Sequence, residues 1–217
     1  MPRLARIVVP GLPHHVTQKG NRGADIFVDA GDRRLYLSLL NKYARRHRLD
    51  ILAYCLMTNH VHLVVVPTTE LSLAHGLRDA HTAYDALWFN RRAGVSGHLW
   101  QGRFFSCPLD EAHLVAAVRY VERNPVRARL VSSAQEYAWS SAAAHCGLRE
   151  DPLLSQAFPP PAMVADWPAW LSWDDDLVTE TIRQHTHTGR PCGSASFVAE
   201  LLGGQTTNHH PGAEIGG

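Results

Sequence analysis

Two histidines stand two residues apart in "MTNHVHLVV", Met57 to Val65, where an apolar run begins. On a strand, residues i and i+2 project from one face, so His60 and His62 offer two imidazoles side by side, a geometry able to chelate one divalent ion. The chain has 14 histidines, and strand pairs at this spacing are more often packed or hydrogen-bonded than metal-bound, so the pair alone leaves both readings open. A second constellation lies in "RYVERNPV", where Tyr120 and Asn124 are four apart and share a helical face. An amide oxygen from Asn124 can complete a site of two imidazoles and one oxygen, with positions left for phosphate oxygens and water. A metal held this way is a Lewis acid for a phosphodiester, and a phenol beside it can attack phosphorus and form a covalent phosphotyrosine. Without the histidine pair, the stronger reading of Tyr120 and Asn124 is a tyrosine packed on a sheet and an asparagine at a proline-terminated helix end.

These groups meet only if the chain brings a strand and a helix together. "ARIVVPGLPHHVTQKG" carries a first strand centred on His15 to Gln18, with Val16 and Gln18 on one face and His15 and Thr17 on the other. "DRRLYLSLLNKYARRHRLD" predicts an amphipathic helix through Leu35, Leu39 and Tyr43, with Asp32 as its N-cap. The apolar runs "DILAYCLM" and "VHLVVVP", joined by "TN", predict a buried hairpin. "LSLAHGLRDAHTAYDALWFNRRAG" predicts a second helix through Leu73, Leu77, Ala80, Tyr84 and Leu87, closed by Gly94, and "HLWQGRFFSCPL" returns to strand character. "DEAHLVAAVRYVERNPVRARLV" predicts a third helix that Pro125 ends or kinks near Asn124. The order strand, helix, strand, strand, helix, strand, helix is the ferredoxin-like split βαβ pattern plus one helix, an α+β fold with an antiparallel sheet and helices on one face. Residues 1–150 are expected to form this domain, 151–205 a small acidic helical appendage, and 206–217 a flexible tail.

Residues 1–150 hold 19 Lys and Arg against 12 Asp and Glu, a net +7, whereas 151–217 hold 2 against 8, a net −6. A basic body suits a polyanion, whose phosphates attract Lys and Arg through counterion release. The four cysteines are scattered without a CxxC pair and read as reduced and structural. No apolar run approaches bilayer length and no secretory signal is visible, so the expected location is the cytoplasm.

Five motifs in order, "HHVTQKGNRG", "AYCLMTNHVHLVV", "HLWQGRFFS", "YVERNPVRARLV" and "YAWSSAAAH", resemble the single-tyrosine HUH transposases that act on single-stranded DNA and, within them, the REP-associated tyrosine transposases of bacteria. The resemblance spans about Pro2 to Gly147. It implies that His60 and His62 bind Mg²⁺ or Mn²⁺, that Asn124 is the third, helix-borne ligand, and that Tyr120 is the nucleophile. Ligand type alone suggests Zn²⁺ or Mn²⁺ as readily as Mg²⁺, so the resemblance is what places Mg²⁺ first. It further implies cleavage and resealing of single-stranded DNA through a 5′-phosphotyrosine, hairpin-forming repeats as substrate, and a monomer. From the basic body, Lys19, Asn21, Arg22, Arg103 and Arg127 are candidate DNA contacts, with aromatic residues available for stacking on bases. The competing reading is a nucleic-acid-binding protein or repressor that uses the same sheet without cutting. A zinc hydrolase is disfavoured because no HExxH or comparable base accompanies the histidine pair.

Overall fold

In the computed structural model, the described residues are 6–92, 97–160, 163–173 and 176–203. Strand β1 (His14–Lys19) leads into helix α1 (Ala30–Arg46), the hairpin β2 (Leu49–Leu56) and β3 (His60–Pro67), helix α2 (Ser72–Asn90), strand β4 (Phe105–Pro108) and helix α3 (Glu111–Glu122). The short helices α4 (Asn124–Arg127), α5 (Ala142–His145) and α6 (Trp167–Ser172) precede α7 (Asp176–Thr188) and α8 (Ala195–Gly203). The sheet has the order β2-β3-β1-β4, with every neighbouring pair antiparallel. Each crossover, β1-α1-β2 and β3-α2-β4, therefore skips one strand, which is the split βαβ connectivity predicted for the ferredoxin-like fold.

Strand alternation divides the interior in two. On one face Val16, Leu56, Val61, Leu63 and Val65 pack with Tyr36 and Leu40 of α1 and with Leu73, Leu77 and Tyr84 of α2. On the other face Ala53, Cys55, Val64 and Cys107 pack with Ala117, Val118 and Val121 of α3 and with Ile182 of α7. The two helices of the ferredoxin-like core share one face as expected, but "helices on one face" does not hold for the whole chain. The extra helix α3 covers the opposite face, because that face is also apolar and must be buried.

Three helix details also differ from the sequence reading. The N-cap of α1 is Asp29, whose side chain accepts from Asp32 N at 2.8 Å, and not Asp32. The buried stripe of α1 is Asp32, Tyr36, Leu40 and Ala44, one residue away from Leu35, Leu39 and Tyr43. Asp32 turns inward because its carboxylate accepts from Val28 N at 2.9 Å and is ion-paired with Arg92. In α2, Trp88 is buried and Leu87 is exposed, while Gly94, the expected stop, lies outside the described residues, as does the tail 206–217. Asp32→Ala removes a buried acceptor that serves Val28 N and the partly exposed Arg92, which still reaches Trp88 O and solvent, so it is expected to lower stability by about 1–3 kcal/mol. Urea unfolding monitored by circular dichroism measures this, and a loss below about 1 kcal/mol would mean that the pair adds no more than an exposed one.

Helix α3 starts where the Asp110 carboxylate accepts from His113 N at 2.9 Å and runs to Glu122, and Pro125 opens the separate turn α4. Packing of α3 across β2 and β3 sets its C-terminal turn above the histidine end of β3. Helix α7 packs on β4, β1 and α3, so part of the C-terminal segment lies on the same side of the sheet.

Candidate active site

The antiparallel register of β1 and β3 places Lys19 opposite His60, Thr17 opposite His62 and His15 opposite Val64. All of these side chains point to the α3 face. The rings of His60 and His62 are 4.9 Å apart and nearly perpendicular, while His62 lies parallel to His15 at 5.3 Å. Tyr120 stands edge-on to both, 5.3 Å from His62 and 5.4 Å from His15. Arg127 stacks its guanidinium 4.5 Å from the Tyr120 ring centroid and donates to Tyr120 O. Asn124 donates its amide Nδ2 to Tyr120 O at 3.0 Å and to Val121 O at 3.3 Å, which leaves Oδ1 as the atom not engaged in these bonds.

These groups line a cleft of about 330 Å³, which Lys19, Arg127 and Arg183 make cationic. Burial holds the imidazoles neutral: it lowers His60 to about 4 and His15 to about 3, and pushes His62 well below its ordinary value. A neutral imidazole keeps a lone pair for a cation, so the ring chemistry fits a metal site. Among the described residues no group of three or more His, Cys, Asp and Glu side chains is placed to hold a metal. A third donor at this cleft therefore has to be an amide or a ligand oxygen, and Asn124 has the appropriate atom. Burial raises the Tyr120 phenol, with Arg127 and Arg183 opposing that rise, so the hydroxyl is protonated at neutral pH.

Residues 10–124 match the family described as IS200-like transposases, just over half of the 217-residue chain. The chain belongs to that family. No curated protein matches it at a significant level. Among solved structures, a REP-associated tyrosine transposase bound to a REP hairpin aligns with a TM-score of 0.55 and 18% identity, covering 71% of this chain and 92% of the other. That likeness supports the fold. A crystal structure of a candidate transposase from Deinococcus radiodurans R1 aligns over 56% of this chain and 97% of the other at 19% identity, with a TM-score of 0.40.

In this transposase, six of the residues singled out in the sequence converge on the cleft: Lys19, His60, His62, Tyr120, Asn124 and Arg127. Three do not. Asn21 and Arg22 lie on a short 3₁₀ turn, Asn21–Gly23, beyond the end of β1. Arg103 lines a separate cavity of about 510 Å³ with Gln18, Arg78, His81 and Trp100. It opens toward the α2 side because Gln18 alternates with Thr17 and Lys19 along β1. Phe104 is buried in the core with α1 and α2. Sequence reasoning missed His15, Arg183, Thr186 and His187, all of which line the cleft. His15 was findable, since it shares a strand face with Thr17, but the α7 residues carry no local signal.

Proposed function

We propose that this transposase cleaves and rejoins single-stranded DNA by transesterification through Tyr120. The observation that carries the reading is the edge-on placement of Tyr120 against His62 within a cleft lined by Lys19, Arg127 and Arg183. The cations hold a phosphodiester at the cleft, and the Tyr120 hydroxyl attacks its phosphorus. The phenol gives up its proton, the bond to the 3′ oxygen breaks, and that oxygen leaves as a 3′-OH. A 5′-phosphotyrosine remains, and a later 3′-OH displaces Tyr120 to reseal the strand. Mg²⁺ or Mn²⁺ held by His60, His62 and Asn124 would supply Lewis-acid stabilisation of the charge that develops on the phosphate.

The relative with 18% identity was solved with a REP hairpin, which supports hairpin-forming repeats as the DNA here. Lys19 and Arg127 serve as strand contacts in this reading, and Asn21 and Arg22 extend them past the end of β1; Arg103, on the other side of the sheet, is not among them. The working unit is a monomer in the cytoplasm: residues 1–150 carry the chemistry, and 151–205 supplies Arg183, Thr186 and His187 to the cleft. No helix among the described residues is long and apolar enough to cross a membrane.

The test is incubation of the protein with labelled hairpin oligonucleotides and Mg²⁺ or Mn²⁺, scored for an SDS-resistant protein–DNA band. Salt-sensitive binding without a band under any condition would favour the non-catalytic binding module instead. The cations also predict a binding signature. Each phosphate contact on a single strand contributes a slope of about −0.7 to log affinity against log salt. Lys19→Ala and Arg183→Ala are each expected to make that slope shallower by about this amount, measured by fluorescence anisotropy. An unchanged slope in both variants would place the strand elsewhere.

A further inference from the structure

We propose that a hydrogen-bond relay from helix α7, Thr186 to His15 to His62, sets His62 in the tautomer whose Nε2 lone pair is free for a cation. Thr186 and His15 are thereby positioning residues. The inference rests on the metal-site reading above and extends it to two residues outside the ligand set.

The direction of the relay follows from counting protons. Thr186 Oγ1 has three polar neighbours: Ile182 O at 2.7 Å, His15 Nδ1 at 2.6 Å and Cys107 Sγ at 3.3 Å. A hydroxyl has one proton to give and lone pairs to receive others. Ile182 O is a carbonyl and can only accept, so an oxygen–oxygen distance of 2.7 Å requires the Thr186 proton to lie between them. Thr186 Oγ1 must then accept from His15, which places the single proton of that neutral ring on Nδ1 and leaves its Nε2 bare. His15 Nε2 is 3.0 Å from His62 Nδ1, and a bare nitrogen there can only accept. His62 therefore carries its proton on Nδ1, and its Nε2 is a lone pair. The opposite setting would leave the Thr186–Ile182 contact without a proton and would put a hydrogen on His62 Nε2, where a cation has to bind.

His60 reaches the same state by a separate device. The Asn59 amide donates Nδ2 to Gly23 O at 3.2 Å, which presents Oδ1 to His60 Nδ1 at 2.7 Å. The carbonyl oxygen accepts, so His60 also carries its proton on Nδ1 and offers Nε2. Two unrelated sets of partners thus prepare both imidazoles identically, which is how outer partners orient metal-binding histidines. Thr186, His15 and Cys107 are all buried, so water does not compete for the relay.

The direct test is a long-range ¹H–¹⁵N correlation spectrum of the metal-free protein, which distinguishes protonated from bare ring nitrogens. The expected result is a proton on Nδ1 and a bare Nε2 in His15, His60 and His62. A His62 ring protonated on Nε2 in the wild type overturns the proposal. Thr186→Val keeps the shape of the side chain but can neither accept from His15 nor donate to Ile182, whereas Thr186→Ser retains both abilities. Mn²⁺ affinity of the folded protein is expected to fall about 10- to 100-fold in Thr186→Val and to recover in Thr186→Ser. A folded Thr186→Val with wild-type affinity and an unchanged His62 spectrum also overturns it. The wild-type spectrum decides the tautomer even where a variant does not fold. A wild type with the expected spectrum that forms no adduct on hairpin DNA sinks the strand-transfer reading and leaves the relay standing. An adduct formed by a protein whose His62 carries its proton on Nε2 does the reverse.

Discussion

Tyr120→Phe is expected to bind hairpin DNA as the wild type does and to yield no SDS-resistant adduct at any time or metal concentration. The substitution removes one oxygen from a ring held by packing: Tyr120 is buried, edge-on to His15 and His62, and covered by Arg127. Those contacts involve the ring and the main-chain carbonyl, both of which phenylalanine keeps. Among the described residues the hydroxyl makes no hydrogen bond, so its loss leaves no buried partner unsatisfied and the melting temperature should barely move. Affinity should also persist, because the cations of the cleft are untouched. What disappears is the nucleophile, and with it any route to a phosphotyrosine. The readouts are gel electrophoresis of the adduct and anisotropy of the complex on the same samples. Adduct formation by Tyr120→Phe would remove Tyr120 from the mechanism. Loss of binding together with the adduct would assign it a role in holding DNA instead.

The main outline of the fold was legible because it depends on local periodicity. Period-two alternation in β1 and β3 and the three-to-four spacing of α2 and α3 survive in the folded chain, and α3 gives way to α4 at Pro125, which has no N–H to donate to Val121 O. Errors arose where a distant partner decided the outcome. Asp32 looked like a cap because it precedes an apolar helix, yet Arg92 draws it inward and shifts the buried stripe of α1 by one residue. The site divides in the same way. His60, His62, Tyr120 and Asn124 are paired by short spacings that a strand or a helix converts into shared faces. Arg103 looked equivalent to Lys19 by charge, but the loop after Trp100 places it with Gln18, on the other side of the sheet. Thr186 lies 171 residues from the histidine it contacts, and no pattern within either segment announces that meeting.

Acid should destabilise the fold well above the range where carboxylates titrate. Burial lowers His14 to about 4 and His15 and His81 each to about 3, whereas an unfolded histidine titrates near 6.5. Between the folded and unfolded values the unfolded chain binds more protons, so stability falls as pH drops below about 6.5 and continues to fall until the folded pKa is reached. From pH 7 to pH 5 each such histidine is expected to cost about 2 kcal/mol, and three together about 6 kcal/mol, by proton linkage. That is comparable to the whole stability of a typical domain, about 5–15 kcal/mol. His81 isolates the effect, because it lies on the α2 side of the sheet, where it bonds the Tyr36 hydroxyl at 3.0 Å and stacks on Trp100. His81→Gln retains a polar group beside Tyr36 but has nothing to titrate. Its stability at pH 7 should fall modestly through lost stacking, while its further loss between pH 7 and pH 5 should be smaller than the wild type's by about 2 kcal/mol. Urea melts of both proteins at the two pH values measure the difference directly. A wild type equally stable at pH 7 and pH 5 would mean that these rings take up protons in the folded state, and the neutral imidazoles assigned to the cleft would lose their physical basis.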